Sequence, residues 1–522
     1  MLFKSVGFNM SKKQTLLIFF ILYLFTLGIR IYWLSQKNDI HIDESFSVQL
    51  TCRNDWNYES NRGYTGKEAK EVALLCRNNA LEDIYHLWQD NRDPPHTNLY
   101  YSLFRLSLAG LDSVDMQQII LRGGILNLFF FTTSFIFFFL LARLLFPESP
   151  LLQLTATACA FLSTAAISNT LFLRPYQIQE TSFIVFCYYF FKTFDQEKYA
   201  VPNDQACVNV RLLVLLSLAT AFALLTGYFS LFFVGLFGLY AIYHKVKAGR
   251  SLDILFYTAT LFLAMLFAQI FYLKYLYGYF SIRATDQGQR LTDHLFSKAT
   301  PLEDIKNALV LVKEFVLNHF FTYPVLIICA LCLLFVIISR RRRFLKQKHA
   351  FYIFAASILY AIVIMYLAPF KEYKEIRYIM PVFPSFVLLP TSIIYSMGKR
   401  KIAAVAMALL CVFFALNAFK KSNIKYLVNS DEYIFNRESG VPVFIFNKTP
   451  WKYSELVRWF NDEQVYYFNT PVNIAVNDPR GVYLVFEKTH EMLHNLKLSR
   501  DEIEQSFASA FFVGIKIRLQ KQ

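Results

Sequence analysis

The sequence predicts an all-α polytopic membrane protein with a small α/β domain at its C-terminal end, and three observations carry this. Long apolar segments recur along the chain as far as residue 419. Apolar residues make up 55% of the sequence, with 55 Phe and 32 Tyr against 17% charged residues, more than one soluble core uses. The formal net charge of +15 sits mostly in short loops between apolar segments. That placement follows the positive-inside rule and argues against a nucleic-acid partner, which would need the charge on one soluble face.

A helix crossing about 30 Å of hydrocarbon needs roughly 20 apolar residues. The candidate spans are 14–34, 120–142, 150–169, 178–194, 210–226, 228–243, 253–275, 315–338, 350–368, 379–397 and 402–419, about eleven in all. Lys12 and Lys13 hold the N-terminus in the cytoplasm. Alternate loops then collect Arg143, Lys192 and Lys198, His244 to Lys247 with Arg250, Arg340 to Arg343, and Lys399 to Lys401, all on the cytoplasmic side. The first segment has no small-residue cleavage site behind it and reads as a retained anchor. Leu99–Leu111 is short and interrupted by Arg105, and counting it as a span would turn the basic loops outward. It is expected to be an interfacial helix, the alternative being a short true span.

Three outward regions are large: 36–117, 276–308 and everything after Asn417. In the last, Val441–Phe446 and Gly481–Phe486 read as short buried strands, and Glu491–Phe511 has helical spacing. The division expected is a transmembrane domain over 1–419, including the outer loop 36–117, and a soluble extracytoplasmic domain over 420–522. No internal repeat or low-complexity tract is visible. Six of the eight cysteines lie in or beside apolar spans, where they pack as small hydrophobes. Cys52 and Cys76 share the first outer loop, either as a disulfide worth about 3 kcal/mol by loop closure or as two thiols. No P-loop or dinucleotide glycine fingerprint occurs.

Four polar clusters fall at the outer ends of the spans. Asp43 and Glu44 follow the first span, and adjacent side chains diverge in either a helix or a strand, so one acid can act as a base while the other supports it. The competing reading is an N-cap and first-turn acid of a helix starting near Ser45, which the helix dipole favours. Asp93-Pro94-Pro95-His96-Thr97-Asn98-Leu99-Tyr100-Tyr101 closes the same loop, with two prolines fixing the start of the interfacial helix. Arg174-Pro175-Tyr176-Gln177 precedes the fourth span. Glu180 lies one turn beyond Tyr176 on the same face, where an arginine and a glutamate pair or line a cavity; the alternative is Arg174 snorkelling to headgroups. Lys371, Lys374, Arg377 and Tyr378 precede the tenth span with Pro381 and Pro384 behind them. Their cations suit a lipid-linked phosphate or, alternatively, a collar on lipid headgroups.

In this order and on one side, these clusters resemble the GT-C membrane glycosyltransferases, in particular the dolichyl-phosphate-mannose protein mannosyltransferase and lipid A aminoarabinose transferase group, over roughly residues 14–400. The resemblance implies a GT-C-like fold and transfer of a sugar, with inversion, from a polyprenyl-phosphate donor to an extracytoplasmic acceptor, whether protein, lipid A or another glycan. It assigns the base to Asp43 with Glu44 as its neighbour, and maps the Arg-x-Tyr motif to Arg174 and Tyr176 and the late Arg-Tyr to Arg377 and Tyr378. The clusters themselves add Asp93, His96, Tyr100, Glu180, Lys371 and Lys374 to the expected substrate-binding residues. The family helix reads His-Pro-Pro-Leu-Tyr-Tyr, whereas here the histidine follows the prolines. Cations facing a developing phosphate charge and a base opposite agree with that chemistry. No cofactor is required, although outward Asp, Glu and His groups leave a divalent cation possible. The expected partners are the lipid-linked donor, the acceptor and membrane lipids. The expected location is a bacterial plasma membrane with the site facing the periplasm. A transporter or flippase of lipid-linked saccharide and a non-catalytic glycolipid-binding protein are the rival readings. Transporters favour midplane ionisable groups and inverted repeats, whereas the spans here are nearly charge-free inside and no repeat is visible.

Overall fold

The computed structural model of this 522-residue chain describes residues 10–54, 57–90, 96–147, 149–196, 210–250, 252–281, 301–338, 347–367, 375–398, 400–427, 438, 440–457, 460–470, 480–490, 503–509 and 511–517. Two compact units divide it. The first comprises Met1–Ser35, Trp88–Tyr100 and Gly124–Lys425, and the second Gln36–Leu87, Tyr101–Gly123 and Tyr426–Gln522. The outer-end clusters lie on or beside helices α1 (Lys12–Ser35), α2 (Ile42–Thr51), α3 (Gly66–Leu74), α4 (Ala80–Gln89), α5 (Leu99–Ser107), α6 (Met116–Leu145), α7 (Pro150–Leu162), α8 (Thr164–Leu171) and α9 (Tyr176–Gln196). Later helices are given by their ranges.

Each expected span is helical over most of its described residues, but they are not uniform crossings. Among the described residues four helices are long and apolar enough to cross a bilayer singly: α1, α6, Asp253–Phe271 and Lys348–Leu367. These make the chain an integral membrane protein. Two further candidates are bent pairs, α7 with α8 at 57° and Leu302–His319 with Tyr323–Ile338 at 92°. The first break falls at Ser163, whose extended backbone ends α7 while its hydroxyl accepts from Ala166 N at 3.4 Å and caps α8. The second corrects the span expected over 315–338. One helix ends at His319 and the next starts at Tyr323, with Pro324 in its first turn, where a missing N–H costs nothing. Prolines also explain why the span expected over 379–397 opens as 3₁₀ turns at Ile376–Tyr378 and Met380–Val382 before Leu388–Ser396. At nine residues, α5 is about 13 Å long, too short for about 30 Å of hydrocarbon.

The second unit is organised by a six-stranded sheet: β1 (Gly63–Thr65), β2 (Val443–Phe446), β3 (Val465–Phe468), β4 (Val482–Glu487), β5 (Ile503–Ala508) and β6 (Phe512–Ile517) in the order β1-β3-β2-β4-β6-β5. β2 lies parallel to β3 and β4, while the β1–β3, β4–β6 and β5–β6 pairs are antiparallel. Phe444, Phe446, Val482, Leu484, Phe486, Ile515 and Ile517 form one face of its core. β2 and β4 are the two strands expected from their apolar runs, and every residue in them is buried, as parallel strands require. β1 comes from the first outer loop, so loop and tail share one sheet. The helix expected over Glu491–Phe511 is corrected: 491–502 lie outside the described residues, and Ile503–Ala508 is a strand. Ile503 and Phe507 would share a face in an unbroken helix or strand, but the register shift between Ile503 and Gln505 sets Ile503 opposite Ile517 and Phe507 opposite Gly514, on different faces of the sheet, so pairing to β6 decides. Opposite Phe507 stands Gly514, where a Cβ would come within 1.7 Å of the Phe507 ring.

Cys52 and Cys76 form a disulfide, with Cα atoms 4.5 Å apart, and Cys52 also caps the end of α2.

Candidate functional site

Within the second unit the acidic pair opens α2. His41 is the N-cap residue; its Nδ1 accepts from Asp43 N at 3.2 Å, while the Glu44 carboxylate accepts from His41 N, a reciprocal capping box. The acids do lie at a helix start, but the helix begins at Ile42 and not near Ser45, so His41 is the cap and both acids fall in the first turn. The two acids nonetheless differ in kind. Glu44 is fully buried and takes Lys37 Nζ at 2.6 and 2.9 Å, and the ammonium also donates to Tyr426 O at 3.1 Å. Both charges are removed from water, so each depends on the other. Asp43 keeps 26% of its side chain exposed, with Oδ2 3.3 Å from His41 Nδ1. That nitrogen serves Asp43 in two ways: unprotonated, it accepts from the amide; protonated, it donates to the carboxylate.

Within the first unit, three of the sequence clusters meet on one aromatic ring. Tyr176, at the start of α9, stacks on Phe172 with centroids 5.8 Å apart. The His96 ring meets Tyr176 edge-on at 5.6 Å, and the Tyr378 ring does so at 5.9 Å. Arg377 lies beside the Tyr378 ring at 5.2 Å and pairs with Glu375 at 3.1 Å. Arg174 sits two residues before the hub in the turn between α8 and α9, its N–H donating to Phe172 O at 2.8 Å. Arg174, Tyr176, Arg377 and His96 are all buried, and Tyr100 is buried in the first turn of α5. The approach to α5 is pinned by Thr97 donating to Leu225 O, and by Asn98 donating to Phe271 O at 3.2 Å. These carbonyls lie at the ends of helices Val210–Leu224 and Leu252–Phe271, where intrahelical donors run out.

Glu180 departs from the pairing expected with Arg174. It is fully buried, accepting from Gln177 Nε2 at 2.9 Å and Asn169 Nδ2 at 3.1 Å. Asp93, Lys371 and Lys374 lie outside the described residues, as do Lys198 and Arg340 to Arg343. Two buried cations went unnoticed in the sequence. Lys37, which neutralises Glu44, was hidden as an ordinary loop lysine seven residues upstream. Arg30, fully buried in α1, was visible as the one charge inside the first span.

No family model and no curated protein matches this sequence. Among solved structures, the chain is similar to the apo oligosaccharyltransferase of Archaeoglobus fulgidus, with TM-score 0.52 and 11% identity over 91% of this chain and 70% of that one. The same enzyme in complex with Zn and sulfate gives 0.50 and 12% over 90% and 68%. ArnT from Cupriavidus metallidurans bound to undecaprenyl phosphate gives 0.49 and 11% over 97% and 98%. The resemblance to the GT-C membrane glycosyltransferases is thus one of fold.

Proposed function

We propose that this protein is a glycosyltransferase that takes a sugar from a polyprenyl-phosphate donor and places it on an extracytoplasmic acceptor. The observation that carries the reading is the meeting of His96, Tyr176 and Tyr378 on one ring cluster flanked by Arg174 and Arg377. Three separate stretches of the chain, around residues 96, 174–176 and 377–378, supply them, and each belongs to a motif that suggested this function. In the proposed step the acceptor hydroxyl oxygen attacks the anomeric carbon, the bond from that carbon to the phosphate oxygen breaks, and polyprenyl phosphate leaves. The configuration inverts, and the acceptor proton passes to the Asp43 carboxylate and then to water. Arg174 and Arg377 are the proposed partners of the phosphate, with charge-assisted hydrogen bonds that strengthen as its charge develops. Lys371 and Lys374 are the further cations assigned to it.

Glu44, committed to Lys37, is the support of the acidic pair. Glu180, with both oxygens occupied, is a scaffold residue instead of a direct ligand. The proposed step requires no resident metal. Among the described residues no three His, Cys, Asp or Glu side chains gather around one point, and Cys329 and Cys332 lie inside the apolar helix Tyr323–Ile338. No step is routed through an ion. The proposed location is a bacterial plasma membrane with the acidic pair facing the periplasm, an orientation that the positions of the basic loops support.

The test compares glycolipids and glycoproteins from cells with and without the protein, alongside native mass spectrometry of the purified chain with undecaprenyl phosphate. A glycan lost with the protein, together with binding of the lipid phosphate, supports the reading. Unchanged glycans with intact binding would favour a transporter or a glycolipid-binding protein.

A further inference from the structure

We propose that Arg30 and Glu180 are positioning residues, a buried staple that fixes the elbow carrying Arg174 and Tyr176; this rests on the donor-binding role assigned above to that elbow. The elbow is the short non-helical stretch between α8, which ends at Leu171, and α9, which begins at Tyr176. Its geometry has to be imposed, because the chain around it is twice broken, at Ser163 and again after Leu171.

The Arg30 guanidinium meets both breaks. Its Nη2 donates to Phe161 O at 2.9 Å, one of the carbonyls that α7 leaves without a helical donor where it stops. Its Nε donates to Thr170 Oγ1 at 3.0 Å, in the last turn of α8, and its Nη1 to Thr26 O at 3.1 Å. The plane is held against Phe131, whose centroid is 3.8 Å away. Thr170 Oγ1 in turn lies 2.8 Å from Gln177 Oε1 on α9. Gln177 passes the connection to Glu180, and Glu180 returns it through Asn169 to α8. The same Asn169 amide lies 3.3 Å from Tyr176 O. A closed ring of hydrogen bonds therefore ties the last turn of α8 to the first turns of α9 across the elbow. From α6, Asn127 Nδ2 adds a clamp on Thr170 O and Phe172 O at 3.0 and 2.9 Å.

Every side chain in the ring is buried, so a missing member leaves polar groups unsatisfied. Glu180 supplies the opposing charge for Arg30 through space, which a buried guanidinium requires. Only a forked cation reaches the Phe161 carbonyl, the Thr170 hydroxyl and the Thr26 carbonyl together. A displacement of the elbow by about 1 Å is enough to spoil a phosphate contact.

A double-mutant cycle on undecaprenyl phosphate binding, with the full chain in nanodiscs, decides this. Arg174→Ala is expected to weaken binding about tenfold, and Arg30→Met by a similar factor. The Arg30→Met/Arg174→Ala chain should bind no worse than Arg174→Ala alone, to within about twofold. Arg30→Lys should recover part of the loss with the same unfolding temperature as Arg30→Met, a rescue that fold repair alone does not produce. If Arg30→Met does not fold, Arg30→Lys and Thr170→Val take its place in the cycle. Unchanged affinity on disturbing Arg30, or fully additive losses, overturns the staple while leaving the donor role of Arg174 intact. No effect of Arg174→Ala removes that donor role and the staple with it.

Discussion

The helix starts at Ile42 and at Tyr176 each follow an outer-end motif and each bring a glutamate into the interior, yet they handle charge in opposite ways. At Ile42 the acids are divided: Glu44 is locked to Lys37 by direct contact, and its neighbour Asp43 stays partly in water beside His41. At Tyr176 the single acid, Glu180, is held by the Asn169 and Gln177 amides, and the arginines and rings around the elbow are buried with it. A carboxylate with its lone pairs committed is part of the scaffold, whatever motif it belongs to. One that keeps a solvated edge retains the capacity to take a proton.

Breaking the Ile42 side of this contrast should have the largest effect on stability. Lys37→Met leaves Glu44 buried without its counter-charge, with an expected loss of about 3–5 kcal/mol, visible as a lowered unfolding temperature and faster amide exchange in α2. Glu44→Gln, which retains hydrogen-bond acceptors, should lose less. An undisturbed Lys37→Met protein would mean that the ion pair does not hold the helix start. At the other end of α2, replacing Cys52 and Cys76 by Ser should cost about 3 kcal/mol through loop closure, read by unfolding with and without reductant.

Glu487 sharpens the comparison by adding a third acid. Burial pushes its carboxyl up, but hydrogen bonds from Lys452, Thr489 and Lys448 N outweigh that and hold it at about 2 against an ordinary 4.5. A folded value below the unfolded one means that the stabilisation is present above about pH 4.5 and is lost as pH falls toward about 2. Acid titration of the wild type should show a loss of stability in that window, and Glu487→Gln should remove it. The smallest change is expected at Asp43 itself. Asp43→Asn should alter stability by less than about 1 kcal/mol, since it removes only a first-turn charge from a partly exposed position.

How much of this was legible in the sequence depended on how local the cause was. The apolar spans, the strands at Val443–Phe446 and Val482–Glu487, and the Cys52–Cys76 pairing as one of two options could be read from runs and loop position. The convergence of His96, Tyr176 and Tyr378 was legible only as motifs in a familiar order. What escaped was set by remote partners. β1 pairs with β3 about four hundred residues later, and Ile503–Ala508 became a strand because β6 lies beside it. The break at Ser163 carries no proline or glycine to announce it. The partners of Glu44 and Glu180 were chosen by three-dimensional packing: the acid expected to meet Arg174 answers instead to Arg30, well over a hundred residues upstream.

The most direct measurement of the central claim, that Asp43 is the base of a sugar transfer, uses cells making the wild-type chain, the Asp43→Asn chain or no chain. Their glycolipids and glycoproteins are compared while the purified variants are assayed for undecaprenyl phosphate binding. The account predicts that Asp43→Asn binds the lipid phosphate as the wild type does yet lowers product formation by about 10²–10⁴-fold, so that its glycans match those of cells without the protein. Wild-type levels of product from Asp43→Asn would contradict it.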